Sequence, residues 1–241
     1  MRMSLQKGFF KIQSSNPDLP PEEWTLDEEF TTAGSYNTSL DWGKYKIVIS
    51  GGGGAGGASA STHDTSRNWA NAGSAGEELT IMVSVPNGEN KTVSGIIASG
   101  GGASYADAHK TYSGGTVTAT LGAIGTGYEN GTQGTRATYR EPFPDSNSDC
   151  SAGAGGSGGG STNLEIDGIL NSVARGGNGG ACRADQISAR AGGTGGSGGI
   201  SGGTGAAGGA GRYYRNGGGY SGAGSDGYVR VYKSNLYPEP L

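Results

Sequence analysis

The chain has 241 residues and a formal net charge of -4; 52 residues are glycine and only 32% are hydrophobic. Glycine is therefore about three times as frequent as in average proteins, and apolar residues are too few for a conventional hydrophobic globule. No apolar run is long enough for a transmembrane helix, the acidic balance argues against nucleic-acid binding, and two cysteines do not suffice for a disulfide scaffold or a four-thiolate zinc site.

The first 43 residues are poor in glycine and differ in composition from the rest of the chain. Residues 1–12 lack the apolar run of a secretory signal. The segment has too many large apolar side chains for an unattached tail and too few for a core of its own: Phe9, Phe10, Ile12, Trp24 and Phe30. We therefore predict an N-terminal attachment or oligomerisation segment at 1–43, a glycine-rich domain at 44–233 and a C-terminal tail at 234–241.

Within the glycine-rich domain, short segments with alternating apolar residues predict β-strands. They lie within residues 44–50, 80–85, 116–121, 164–166 and 227–232. No window has the apolar spacing of an amphipathic helix. The sequence thus predicts a mainly β and irregular fold with little α-helix.

Between these strands, glycine recurs at every third residue, as in GGT-GGS-GG at 192–199. Three residues per turn is the screw of the polyproline-II helix, whose outward amides can pair with neighbouring chains. Collagen shares the screw but needs abundant proline, which these tracts lack. A flexible Gly/Ser linker is the alternative, but the intervening strands need partners. We expect a sandwich of parallel-running polyglycine-II helices flanked by short strands, and a severely destabilising effect of Gly195→Val.

Motifs for chemistry are weak in this sequence. Gly51, Gly53 and Gly56 match a dinucleotide-binding G-x-G-x-x-G, but no helix follows to hold a pyrophosphate. His63 and His109 are the only histidines, and no nucleophile elbow accompanies them. We therefore predict a non-enzymatic protein without cofactor or metal.

Cys150 and Cys182 both lie beside glycine tracts. A disulfide between them would close a 32-residue segment and contribute about 3–4 kcal/mol in the entropic model. Two buried thiols are the equal alternative.

A strand entering GGGGAGG, a second strand with VPNG, repeated GG-x tracts and a terminal GSDGYVRVY together resemble the glycine-rich domains at the ends of phage tail fibres. They are also similar to the distal adhesins of T-even-type phages, and the resemblance covers roughly residues 44–233. It implies a polyglycine-II sandwich whose variable loops bind a receptor on the host cell, an outer-membrane protein or a glycan. It also implies a location at the distal tail or fibre tip of the virion, contacts with other tail proteins and a homotrimer, with no nucleic acid bound and no membrane insertion.

The loops between the tracts carry aromatic and arginine side chains among Ser, Gly and Asn, a composition typical of binding surfaces. Arg140 and Arg212 belong to these loops as well. The predicted receptor-binding residues are Trp69, Tyr105, His109, Tyr112, Tyr128, Arg136, Tyr139, Phe143, Tyr213 and Tyr214. Two alternatives remain at this point: a structural virion protein that binds no receptor, and a depolymerase, for which no catalytic cluster is visible.

Overall fold

The computed structural model describes residues 20–62, 68–110, 115–140, 149–184, 187 and 189–237. This part of the chain is mainly β and contains no α-helix, as predicted; its one helical turn is the 3-10 helix Gly196–Gly198. The strands are β1 Trp24–Phe30, β2 Gly34–Leu40, β3 Gly43–Ser50, β4 Ala58–Ser61, β5 Trp69–Ala70, β6 Glu78–Val85, β7 Lys91–Ile97, β8 Tyr105–His109, β9 Thr116–Thr120, β10 Arg136–Arg140, β11 Cys150–Ala154, β12 Thr162–Ile166, β13 Ile169–Ala174, β14 Cys182–Arg183, β15 Arg212–Arg215, β16 Gly217–Tyr220 and β17 Tyr228–Ser234.

Ten glycine-rich tracts connect these strands, and we number them in chain order. They are T1 51–57, T2 71–77, T3 98–104, T4 121–127, T5 131–135, T6 155–161, T7 175–181, T8 191–196, T9 203–211 and T10 221–227. No glycine within them has a positive φ. Gly195 has φ -69° and ψ 161°, close to the polyproline-II values of about -75° and +145°.

The hydrogen bonds of T1 follow the three-residue period. Its successive N–H groups donate to three tracts in turn: Gly51 to T2, Gly52 to T6 and Gly53 to T10, at 2.9–3.0 Å. Gly54 then donates to T2 again. The carbonyl groups of T1 accept from T7, T3 and T9 in the same rotation. T1 is therefore a polyglycine-II helix with six hydrogen-bonded neighbours.

T6 is surrounded in the same way. It donates to T5, T7 and T3 and accepts from T1, T4 and T8. The other eight tracts form a closed ring around T1 and T6, in the order T2, T7, T8, T5, T4, T3, T10 and T9. The bundle is thus a hexagonal array in three layers: T2–T7–T8, then T9–T1–T6–T5, then T10–T3–T4.

Successive tracts alternate in direction, so the predicted parallel packing holds only between some neighbours: T7 and T9 run parallel to T1, whereas T2, T6 and T10 run antiparallel to it. The N–H groups of Gly51, Gly54 and Gly57 bond progressively earlier residues of T2, which makes T1 and T2 antiparallel. The same register reversal relates T3 to T4, T5 to T6 and T7 to T8. The physical reason is that each connection turns back at the end of the bundle where its tract finishes.

Burial separates the two inner tracts from the outer ones. Every residue of T1 and T6 is buried, and neither tract contains a side chain larger than that of serine. In the outer tract T8, Thr194 is exposed while Gly193 and Gly195 are buried. One residue in three can therefore carry a side chain in an outer tract, which explains the GG-x pattern.

At one end of the bundle, two four-stranded sheets form what we call the chain-end sandwich. Their strand orders are β1-β17-β3-β6 and β13-β12-β7-β2. The sandwich holds the main hydrophobic core of the described residues, built around Tyr36, Tyr45, Ile47, Ile49 and Val231. The neighbouring strands of both sheets are antiparallel and bury one face, as their alternating sequences predict.

The predicted boundary at residue 44 does not separate two structural units. Strand β1 pairs with β17, and β2 pairs with β7 along its whole length. Tyr36 belongs to the core of the sandwich, and Phe30 packs against that core. Residues 24–40 therefore complete the two sheets instead of forming an appended segment, while Phe9, Phe10 and Ile12 lie outside the described residues.

At the opposite end, the three layers of the bundle continue as three sheets. The middle layer becomes the sheet β10-β11-β4-β15, and the outer layers become β16-β8-β9 and β14-β5. The middle sheet packs on β8 and β9 through small side chains, among them Ala58, Ala106, Ala119 and Ala152. Alanine-sized residues suffice because the sheets inherit the close spacing of the glycine helices.

Candidate binding surface at the loop end

Five connections lie at the end of the bundle remote from the chain-end sandwich, and we call this end the loop end. They are residues 58–70, 105–120, 136–154, 182–190 and 212–220. The first and last described residues, 20 and 237, belong to the opposite end: Glu23 and Asn235 are joined by two hydrogen bonds next to β1 and β17. The described part of the chain thus begins and ends at one end of the bundle and presents five connections at the other.

The structure brings seven of the predicted binding residues together at the loop end. These are Trp69, Tyr105, His109, Arg136, Tyr139, Tyr213 and Tyr214. Tyr112 and Phe143 belong to two of the same connections but lie outside the described residues. The remaining residue, Tyr128, lies at the opposite end.

Tyr128 lies apart from the other predicted binding residues. Its N–H donates to the carbonyl of Ser161, the last residue of T6, where that tract enters β12 of the chain-end sandwich. Its ring is 41% exposed. The sequence of a turn between two glycine tracts does not reveal at which end of the bundle the turn lies.

One aromatic cluster of the loop end involves β5 and its neighbours. Trp69 is half-buried and lies directly opposite Arg183 in the β5–β14 pairing. Asn68 donates a 3.0 Å hydrogen bond from Nδ2 to the hydroxyl of Tyr213, whose side chain is 37% exposed. Arg183 is absent from the predicted site residues, because its pairing with Trp69 joins segments more than 100 residues apart in sequence. The cluster combines two ring faces, one guanidinium and one amide.

A second cluster contains three tyrosines. The rings of Tyr105 and Tyr220 lie 4.9 Å apart at a 53° tilt, and Tyr220 is 66% exposed. Tyr214 donates from its hydroxyl to the Tyr220 carbonyl at 2.7 Å and packs on the alanine core. Burial, followed by the charge of Asp107, raises the pKa of Tyr105. Tyr214 is therefore a supporting residue, and Tyr220, omitted from the predicted set, is the exposed member.

Polar residues of the loop end also have structural partners. Arg136 donates from Nη1 to the carbonyl of Ala119 at 3.0 Å, which ties β10 to β9. His109 Nε2 lies 3.0 Å from Asp107 Oδ1. In the described ranges, no group of three His, Cys, Asp or Glu side chains could hold a metal ion. His63 lies outside those ranges. The chemistry that this surface offers is therefore stacking, hydrogen bonding and positive charge.

The two cysteines are separate buried thiols, which decides between the two alternatives of the sequence. Cys150 faces the alanine core on one side of the middle sheet. Cys182 lies on the other side, where a Cβ built on Gly153 would approach its sulfur to 3.4 Å. Burial raises the pKa of the Cys182 thiol to about 12. A sheet thus separates the two side chains.

Comparison with known proteins finds no matching protein-family model and no matching curated relative. Among the described residues, no helix is long and apolar enough to cross a membrane.

Proposed function

We propose that this protein is a receptor-binding protein at the tip of a phage tail or tail fibre, where the loop end contacts the surface of the host cell. One observation carries the proposal: the first and last described residues, 20 and 237, lie at the end of a ten-helix bundle opposite the aromatic loops. Such a bundle is stiff because backbone hydrogen bonds join every tract to its neighbours. One end is available for mounting, and the other projects side chains that differ from loop to loop.

The composition of the loops supports recognition over a purely structural role. Tyr213 and Tyr220 contact Asn68 and Tyr105 but keep 37% and 66% of their surfaces exposed to solvent. Tyrosine and tryptophan offer large contact areas with little loss of conformational entropy, and they are enriched at binding hot spots. Because backbone pairing maintains the bundle, the loops can change in sequence without disturbing the fold.

The proposed mounting uses the chain-end sandwich. It exposes Leu26, Met82 and Ile169 at 47%, 60% and 72%. Leu26 and Met82 share the outer face of one sheet, in a cross-strand row with Tyr232 and Lys46. We propose that this end docks onto another tail protein, with a homotrimer as the arrangement of copies, and that the protein resides at the distal tip of the virion.

Adsorption of the purified protein to a panel of bacterial cells tests the proposal. Trp69→Ala and Tyr213→Ala should each weaken adsorption about thirtyfold, which is typical of a hot-spot truncation of 2 kcal/mol. Tyr128→Ala is the matched control, since it removes an equally exposed ring from the opposite end. Thermal melting of each variant separates loss of binding from loss of fold.

Two results would contradict the proposal. If every folded loop variant adsorbs like the parent, or if the parent adsorbs to none of the strains, a structural virion protein is favoured. Release of reducing sugar from cell-surface polysaccharide would favour a depolymerase.

A further inference from the structure

One outer layer of the loop end, the sheet β16-β8-β9, has a buried face and an open face. The buried face packs on the middle sheet through Ala106, Ala108 and Ala119. Because side chains alternate along a strand, the residues between these alanines share the opposite face, which we call the tyrosine face. Its side chains are Tyr220 on β16, Tyr105, Asp107 and His109 on β8, and Thr116, Thr118 and Thr120 on β9.

The first row of the tyrosine face supplies aromatic surface. Tyr220 lies directly opposite Tyr105 in the β16–β8 pairing, and Tyr105 lies opposite Thr120 in the β8–β9 pairing. The two rings are 4.9 Å apart, and 66% of Tyr220 is exposed. Because each ring supports the other before any ligand arrives, little side-chain entropy is lost when a ligand stacks on them.

The second row supplies a carboxylate. Asp107 lies between Gly218 and Thr118, about 7 Å along the strands from the tyrosine row. A Cβ built on Gly218 would lie 2.5 Å from both Cβ and Oδ1 of Asp107, so the glycine makes room for this side chain. Oδ1 is buried 3.0 Å from Nε2 of His109, in a geometry that makes no hydrogen bond. The carboxylate therefore keeps unused acceptor capacity beside the rings.

A neutral sugar matches this set of groups. The C–H face of a pyranose can stack on an aromatic ring, whose face carries partial negative charge. Two adjacent hydroxyls of the same sugar can donate to one carboxylate in charge-assisted hydrogen bonds. The exposed Thr118 and Thr120 add hydroxyls that donate or accept. The charge of Asp107 disfavours a sugar that bears an acidic group.

A quaternary ammonium is the competing ligand, since it also binds rings and carboxylates. It has no hydrogen-bonding groups, however, and would leave the threonine hydroxyls of β9 without a role. The imidazole of His109 already lies beside the carboxylate of Asp107. These two features favour a sugar over a cation.

We propose that the tyrosine face binds a neutral pyranose of a cell-surface glycan, with the sugar stacked on Tyr220 and Tyr105 and two adjacent hydroxyls donating to Asp107. The inference rests on the proposed function, because it names the class of receptor for one face of the loop end. It favours a glycan over an outer-membrane protein as the receptor.

Binding to immobilised polysaccharides tests the inference independently of the host strain. The probes are dextran, plant galactomannan and pectic galactan, which present glucose, mannose and galactose with adjacent free hydroxyls. Each probe is also used after periodate oxidation and borohydride reduction, which cleave the bond between the two hydroxyl-bearing carbons. We expect binding to at least one probe and none to its oxidised form. The dissociation constant should change less than about twofold with salt, because the ligand is uncharged.

Two variants locate the site. Tyr220→Ala should weaken binding about tenfold or more through loss of the exposed ring, and Asp107→Asn should do so through loss of charge-assisted hydrogen bonds. Tyr128→Ala and Glu89→Gln are the matched controls, because they remove an exposed ring and an exposed acid at the opposite end. Both controls should bind like the parent. Melting temperatures identify any variant that fails to fold, and the exposed Tyr220 can be removed without disturbing a core.

Binding to none of the probes, equal binding to an oxidised probe, competition by choline chloride beyond that of sodium chloride, or unchanged binding of either folded variant would overturn the inference. Adsorption to cells tests the proposed function separately. If the protein adsorbs to a bacterial strain and both variants adsorb equally well, the glycan inference is wrong while the receptor-binding function stands. If it binds a probe but adsorbs to no strain, the sugar site stands and the receptor-binding function is wrong.

Discussion

A Cβ atom built on Gly195 would lie 2.1 Å from the carbonyl oxygen of Gly176. Gly195 belongs to T8 and Gly176 to T7, and the two tracts are hydrogen-bonded neighbours in one layer of the bundle. The contacted atom belongs to the backbone, so no change of side-chain rotamer can relieve the clash. Glycine at this position is therefore required by spacing and not by backbone conformation.

The first prediction concerns this spacing. Gly195→Val should lower the free energy of unfolding by about 3 kcal/mol or more, because overpacking against backbone forces two tracts apart. Thr194→Val, one residue earlier and exposed, should change stability by less than about 0.5 kcal/mol. Chemical denaturation of both variants measures the difference. Equal stability of the two would contradict the close-packed arrangement of T7 and T8.

The second prediction concerns a hydrogen bond in the chain-end sandwich. The buried Tyr36 donates from its hydroxyl to the Asn163 carbonyl at 3.0 Å, and burial raises the pKa of that phenol. Tyr36→Phe should destabilise the protein by about 1 kcal/mol, because it leaves a buried carbonyl with one bond fewer. Tyr237→Phe is the control, since that ring is 57% exposed. Thermal unfolding measures both variants. Equal melting temperatures for the two would contradict the prediction.

The third prediction concerns pH. Glu77 accepts hydrogen bonds from Arg175 Nε and Nη2, each at 3.0 Å, and this lowers the pKa of the carboxyl below its usual value of 4.5. A lowered folded-state pKa stabilises the protein above the unfolded pKa, and that stabilisation is lost as the pH falls through the folded pKa. Melting temperatures between pH 7 and pH 3 should therefore fall more for the parent than for Glu77→Gln. Glu89→Gln, at an exposed turn, should follow the parent; a parallel decline of the parent and Glu77→Gln would contradict the assignment.

The fourth prediction concerns the cysteines. Because both thiols are buried and the pKa of Cys182 is raised to about 12, neither should react with a thiol reagent at pH 8 in the native state. Both should react in denaturant without added reductant. Reducing agent should leave the melting temperature unchanged. The appearance of thiol titre only after reduction would show that a disulfide had formed.

Much of the architecture could be predicted from the sequence, because local periodicity determines it. A three-residue glycine period allows tracts to pack as polyglycine-II helices, and alternating residues such as Tyr45, Ile47 and Ile49 predict a half-buried strand. The low content of apolar residues predicted that backbone hydrogen bonds hold the molecule together. These features depend only on residues close together in the chain.

The tertiary structure alone decided which tracts are central, how they run and at which end each loop emerges. Hydrogen bonds between polyglycine helices join residues far apart in sequence, and glycine has no side chain that marks its partner. For this reason the sequence groups Tyr128 with residues that lie at the opposite end, and it does not show that β1 and β2 pair with β17 and β7. The direction of a tract depends on the number of chain reversals before it. Which face of the middle sheet Cys182 packs against depends on how the neighbouring sheet lies over it. Both are properties of the assembled layers, which no local pattern encodes.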